Sequence, residues 1–152
     1  MATFDSEGFP VERLRIGFTR ADVELHGVDQ AVPSYEGRVF LNRPDADRDT
    51  PRDPDAGYLG SFHVFGKVEC WGEDEDHCAQ PQGRSFDRRR SPTRYAKARV
   101  RTPQGLLARL VAGAEGELTL NVVAVLPDRE EYRQYAPEDV LRFRRLSIVT
   151  YA

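Results

Sequence analysis

The sequence predicts an all-β fold: an antiparallel β-sandwich of about seven or eight strands with one short helix. Three observations carry this. Apolar residues alternate with polar ones over several short runs, the period of a strand with one face on a core. Clusters of Gly, Pro, Asp and Asn separate the runs and supply turn chemistry. Only one stretch of useful length repeats its apolar residues at helical spacing.

Leu14, Ile16 and Phe18 alternate in RLRIGFTR and predict a first strand. Val23 and Leu25 predict a second, and Val39 and Leu41 a third. Residues 42–57, NRPDADRDTPRDPDAG, are dominated by Pro, Asp and Arg and read as a solvated loop between strands. Phe62 and Val64 mark the next strand; Phe65 and Val68 change face, which predicts a bulge near Gly66. Ala98 and Val100 mark another. Thr102 then reads as an N-cap with Pro103 at the first helical position, and Leu106, Leu107, Leu110 and Val111 follow at helical spacing up to Gly113 and Gly116. Leu118, Leu120, Val122 and Ala124 form the strongest alternation. A short turn is expected over residues 137–140. Leu141, Phe143, Leu146, Ile148 and Val149 mark the last strand, with an offset that suggests a second bulge. Residues 71–93 show no periodicity and read as a long irregular excursion, acidic at Glu73 to Asp76 and basic from Arg84 to Arg90. In a compact domain a loop of that length usually goes with function.

At 152 residues the chain is expected to form one domain over 1–152, large enough to bury a core without metal or disulfide staples. Its 39% hydrophobic and 31% charged residues are a globular balance, not a disordered one. No apolar run approaches the ~20 residues of a membrane-crossing helix. The start, MATFDSEGFP, lacks the basic and apolar regions of a secretory signal, so a cytoplasmic chain is expected. A net charge of -3 argues against a nucleic-acid partner.

Three segments carry a family resemblance: SYEGRVFLNRPDADRDTP, GYLGSFHVFGKVECWGEDEDHC and the closing LRFRRLSIVTY. In that order and spacing they resemble the C-terminal β-sandwich that follows the copper domain of tyrosinases and polyphenol oxidases. Phe40-Leu41-Asn42, Gly60-Ser61-Phe62, Phe65-Gly66 and Ser147 to Tyr151 carry the match, which runs from about Tyr35 to Tyr151. The catalytic domain of that family holds two copper ions with six histidines. This chain has three, His26, His63 and His77, too few for such a site. The resemblance therefore implies a non-catalytic partner domain in a bacterial setting. In the family that domain packs over the copper entrance, and one of its side chains can plug the substrate pocket. A stand-alone copy is expected to bind a tyrosinase-like type-3 copper oxidase, shielding its site or assisting its maturation.

On that reading Trp71, Phe86, Arg88, Arg89 and Arg90 are the candidate partner-binding residues, aromatic anchors beside a basic run. Each also has an ordinary reading, as loop packing or a solvated charge run. Cys70, His77 and Cys78, with His63, are the chain's concentrated soft ligands, so no cofactor is required but copper is a candidate. In a reducing cytoplasm Cys70 and Cys78 are by default two thiols; if bridged, they close a small acidic loop. The alternative function is a small-ligand-binding or small enzymatic sandwich in a biosynthetic pathway, with Tyr58, His63, Glu69 and Arg99 as candidate pocket residues. Tyr35, Tyr58 and Tyr151 are expected at the core margin with hydroxyls on backbone partners. The aspartates between Asp45 and Asp55 lack the glycine and terminal glutamate of a calcium loop. No nucleophile elbow, P-loop, dinucleotide-binding glycine pattern or HExxH is present.

Overall fold

The computed structural model describes residues 3–14, 17–68, 93–112, 114 and 116–152. The fold is all-β, with three antiparallel sheets. The strands are β1 (Thr3–Asp5), β2 (Phe9–Pro10), β3 (Arg20–Asp29), β4 (Tyr35–Leu41), β5 (Tyr58–Val64), β6 (Tyr95–Arg101), β7 (Glu117–Leu118), β8 (Leu120–Val125) and β9 (Arg145–Tyr151). The helices are α1 (Leu106–Ala112) and the single turn α2 (Pro137–Val140), the latter where the sequence predicts a turn. One sheet runs β1-β8-β4-β5, a second β6-β3-β9, and β2 pairs with β7 in a small ribbon.

Alternation dictates which faces meet. Val23 and Leu25 of β3, Val39 and Leu41 of β4, and Leu120 and Val122 of β8 belong to one buried cluster between the two larger sheets. Leu106, Leu107 and Val111 of α1 and Val140 of α2 join the same cluster. In the register, Val39 stands opposite Gly60 on one side and Val122 on the other. Burying such side chains contributes roughly 1.5–3 kcal/mol each.

Several expectations need correction. No strand forms over Leu14–Phe18 in the described residues. Val11–Arg13 is a single 3-10 turn with Leu14 as its C-cap, and a turn of that pitch brings Val11 and Leu14 inward together. The bulge is not at Gly66, because β5 already ends at Val64. The register shifts instead between His26 and Val28, and between Val39 and Phe40. At the second shift Gly60 has φ 145°, and a Cβ there would stand 2.6 Å from Val100 Cγ1. Gly66 serves another purpose: a Cβ would stand 1.8 Å from the Val32 carbonyl oxygen, so glycine lets the exit of β5 lie against the β3–β4 turn. Thr102 does not cap α1; its hydroxyl donates to the Ala21 carbonyl and ties β6 to β3.

Residues 42–57 connect β4 to β5 and are mostly exposed, as expected of a solvated loop, but Ala46 and Thr50 turn inward. Ala46 is fully buried and joins Phe40 and Val123 in a second small core on the other face of the four-stranded sheet, with Tyr58 and Val125 packed against it. Arg38 Nη1 donates to the Arg48 carbonyl at 2.6 Å, and Arg52 Nη2 reaches Glu36 Oε2 at 3.1 Å. Asn42 adopts φ 52°, and its side-chain oxygen accepts from the Thr119 backbone N–H.

The two ends of the excursion are joined through one residue. Gln30 N–H donates to the Arg94 carbonyl at 2.8 Å, and the Gln30 carbonyl accepts from Lys67 N–H at 2.7 Å.

Leu25 has no exposed surface and lies in the middle of β3. Leu25→Ala is expected to lower unfolding stability by about 2–5 kcal/mol, read by urea denaturation with an unchanged slope.

Candidate functional site

β5 and β6 are the facing edge strands of the two larger sheets and are not hydrogen-bonded to each other. Between them lies an open groove of about 500 Å³. Phe62, Val64, Ala96 and Ala98 give it apolar surface; His63, Lys97 and Arg99 give it polar surface. His63 and Arg99, far apart in sequence, thus line one groove. Tyr58 is elsewhere: its ring packs 5.5 Å from that of Phe40 in the second small core. Glu69, Cys70, Trp71, His77, Cys78, Phe86, Arg88, Arg89 and Arg90 lie outside the described residues.

The large apolar side chains left exposed are concentrated near this groove. Among the described residues they are Phe65, Val68 and Tyr95, with Phe4 at the far edge of the four-stranded sheet. Phe65 is 79% exposed, the most of the four, and sits directly after β5. Tyr95 opens β6 with the Arg144 guanidinium 4.5 Å and the Arg94 guanidinium 5.4 Å from its ring centre. The first two flank the start of the excursion and the third its end. Phe65 was legible in the sequence as the residue that breaks the alternation of SFHVFGKV.

Arg94 also anchors this end of the molecule. Its Nε and Nη2 donate to the two carboxylate oxygens of Asp29, each at 2.9 Å, in a fork geometry. The Ala31 backbone N–H donates to Asp29 Oδ1 as well. The Arg94 hydrogen bonds, helped by that backbone donor, hold the Asp29 carboxyl below the usual aspartate range.

A second polar constellation lies on the outward face of β3, where Asp22, Glu24 and His26 alternate with the core residues. His26 Nε2 is 3.3 Å from Ser147 Oγ and 3.4 Å from Glu24 Oε2. This places Ser, His and Glu side by side, but one ring nitrogen meets both partners. A nucleophile triad needs one nitrogen on the hydroxyl and the other on the acid. Glu24 is instead held by Lys97 at 2.6 Å and Arg99 at 2.7 Å, and the Lys97 hydrogen bond leads in pushing its carboxyl below the ordinary glutamate value. The arrangement is an ion network that closes a sheet face. The sequence signal for it was the period-two spacing of Asp22, Glu24 and His26; Ser147 is brought in only by β9 pairing.

Tyr35 departs from expectation. It is 3% exposed, and among the described residues its hydroxyl has no hydrogen-bond partner. Burial, helped by the charge of Asp29, pushes its phenol well above the usual tyrosine range. Among the described residues no group of three or more His, Cys, Asp or Glu side chains could hold a metal ion, and no helix is long and apolar enough to cross a membrane. Comparison with family models, with curated proteins and with solved structures finds no match for this chain.

The Asp29 geometry has a pH signature. Its folded carboxyl titrates lower than the unfolded one, so the pairing stabilises fully above the unfolded value of about 3.9 and is lost as pH falls through the folded value. Arg94 is 42% exposed, so solvent screens the pair. Arg94→Met is expected to cost about 1 kcal/mol at pH 7 and progressively less below pH 4, read by thermal melts across pH.

Proposed function

We propose that this chain is a non-catalytic accessory protein that binds a tyrosinase-like type-3 copper oxidase, shielding its active site or assisting its maturation. The resemblance of its segments to the C-terminal domain of that family supports the reading, and so does the shortage of histidines for a dinuclear copper site. The observation that carries it is the placement of Phe65, Val68 and Tyr95, exposed apolar side chains at the two roots of the excursion. An aromatic ring held out on a rigid strand end is a low-entropy anchor for a partner's pocket. Arg144 beside Tyr95 adds a cationic group that a partner's acidic rim can meet.

A second reading rests on the β5–β6 groove. Its volume falls within the range of small-ligand sites, and His63, Lys97 and Arg99 set polar groups beside the apolar surface of Phe62, Val64, Ala96 and Ala98. On that reading the chain is a ligand-binding sandwich of a biosynthetic pathway.

The two readings separate on one pair of variants. With a purified tyrosinase-type oxidase from the same source, the chain is expected to form a stable complex on size exclusion and to change the rate of phenol oxidation. Phe65→Asp is expected to weaken the complex by about tenfold or more, and His63→Ala to leave it within about twofold. Absence of a complex, or a complex indifferent to Phe65→Asp, overturns the accessory role.

A further inference from the structure

A separate hollow of about 360 Å³ lies against the end of β8 and is lined by Arg48, Asp128, Arg129, Tyr132, Arg133 and Tyr135. We propose that it binds a small aromatic carboxylate, a single ring bearing one anionic group.

The lining residues come from two distant segments. Arg48 belongs to the β4–β5 connection, and its backbone is held by the Arg38 side chain, itself only 8% exposed and fixed by hydrogen bonds of 3.1 Å to Glu36. The other five follow β8 in a run of tight turns. Tyr132 N–H donates to the Arg129 carbonyl at 3.0 Å, Arg133 N–H to the Glu130 carbonyl at 3.1 Å and Tyr135 N–H to the Tyr132 carbonyl at 3.2 Å. Both backbones are therefore fixed before any ligand arrives, which lowers the ordering cost of binding.

The charge points to an anion. Three guanidinium groups share the lining with one carboxylate, in a chain whose net charge is -3. Arg129 spends part of its charge on Glu131 at 3.6 Å. Arg48 and Arg133 make no side-chain ion pair with any other described residue. A guanidinium meets a carboxylate in a planar two-pronged contact that a point charge cannot copy. The aromatic part follows from Tyr132 and Tyr135. Both are half-buried, and both also line a neighbouring hollow of about 530 Å³, so these two residues stand between the hollows. Such rings offer edge and face surface to a flat ligand. The volume sits near the lower end of ligand cavities, which suits one ring.

The test titrates the full chain with benzoate, benzamide and acetate, by calorimetry and by amide chemical shifts. Benzoate is expected to saturate, with shifts centred on residues 125–135 and Arg48. Benzamide and acetate are each expected to bind at least about tenfold more weakly, since each lacks one half of the recognition. Arg48→Gln combined with Arg133→Gln is expected to weaken benzoate by about tenfold or more with an unchanged melting temperature, and Tyr132→Leu to weaken benzoate but not acetate. Should the double variant fail to fold, Arg133→Lys keeps the charge and loses the fork, and a several-fold loss is expected. Equal binding of benzamide overturns the anionic half, equal binding of acetate the aromatic half. Failure of benzoate to saturate, or variants that bind it as the parent does, overturns the site.

Discussion

Everything in this fold depends on β3 being satisfied on both faces at once. It pairs with β6 on one edge and β9 on the other, so its register is fixed twice. Inward it presents Ala21, Val23 and Leu25 to the core; outward it presents Asp22 and Glu24, which are almost as deeply buried. Two carboxylates at such burial demand cations, because an unpaired charge away from water costs several kcal/mol. Arg20, Lys97 and Arg99 supply them. Neutralisation and hydrophobic burial thus select the same alignment of β6 on β3. A slip of one residue would turn the acids into the core and the leucine outward. The match is incomplete at two atoms: among the described residues Asp22 Oδ1 and Arg20 Nε have no hydrogen-bond partner.

The same logic shows how far the sequence could be read. Where polar residues stand between the apolar ones, the period of two is plain, as over Asp22 to Leu25 of β3. Where apolar residues occupy both faces, as in β4 and β8, it misleads. Phe40 points away from the main core and was passed over, because nothing local announces that residues 42–57 fold back and seal it beneath Ala46. Those residues are mostly exposed, yet Arg43 pairs with Asp45, Arg52 with Glu36, and Asp47 and Asp53 accept from nearby backbone N–H groups. Thr102 and Pro103 read as a helix start, but a strand carbonyl takes the Thr102 hydroxyl and α1 begins only at Leu106. Val11 and Leu14 face inward through a 3-10 turn, a spacing that alternation does not register.

The candidate sites divide in the same way. Phe65 was visible because it breaks a local pattern. The approach of His63 to Arg99, or of Arg48 to Tyr132 and Tyr135, is set by strand order and loop return and leaves no trace in local spacing. Fold and site also answer different questions, since a sandwich of this kind can carry many activities. What distinguishes this molecule is the placement of its exposed aromatic rings and unpaired guanidinium groups, not the sheets beneath them.

Gln30 gives the architecture a further property. By bonding to Lys67 on one side and Arg94 on the other, it makes a closed mouth for the chain that leaves β5 and returns at β6. The spacing of that mouth is set by the β3–β4 turn, by the glycine at 66 pressed against it and by the Arg94–Asp29 fork. None of these depends on what the chain between does. Doubling a loop whose ends are already fixed costs only about 0.6 kcal/mol in closure entropy. The segment is therefore an exchangeable cassette: its length and composition can change while the sheets on either side of it stay unaltered.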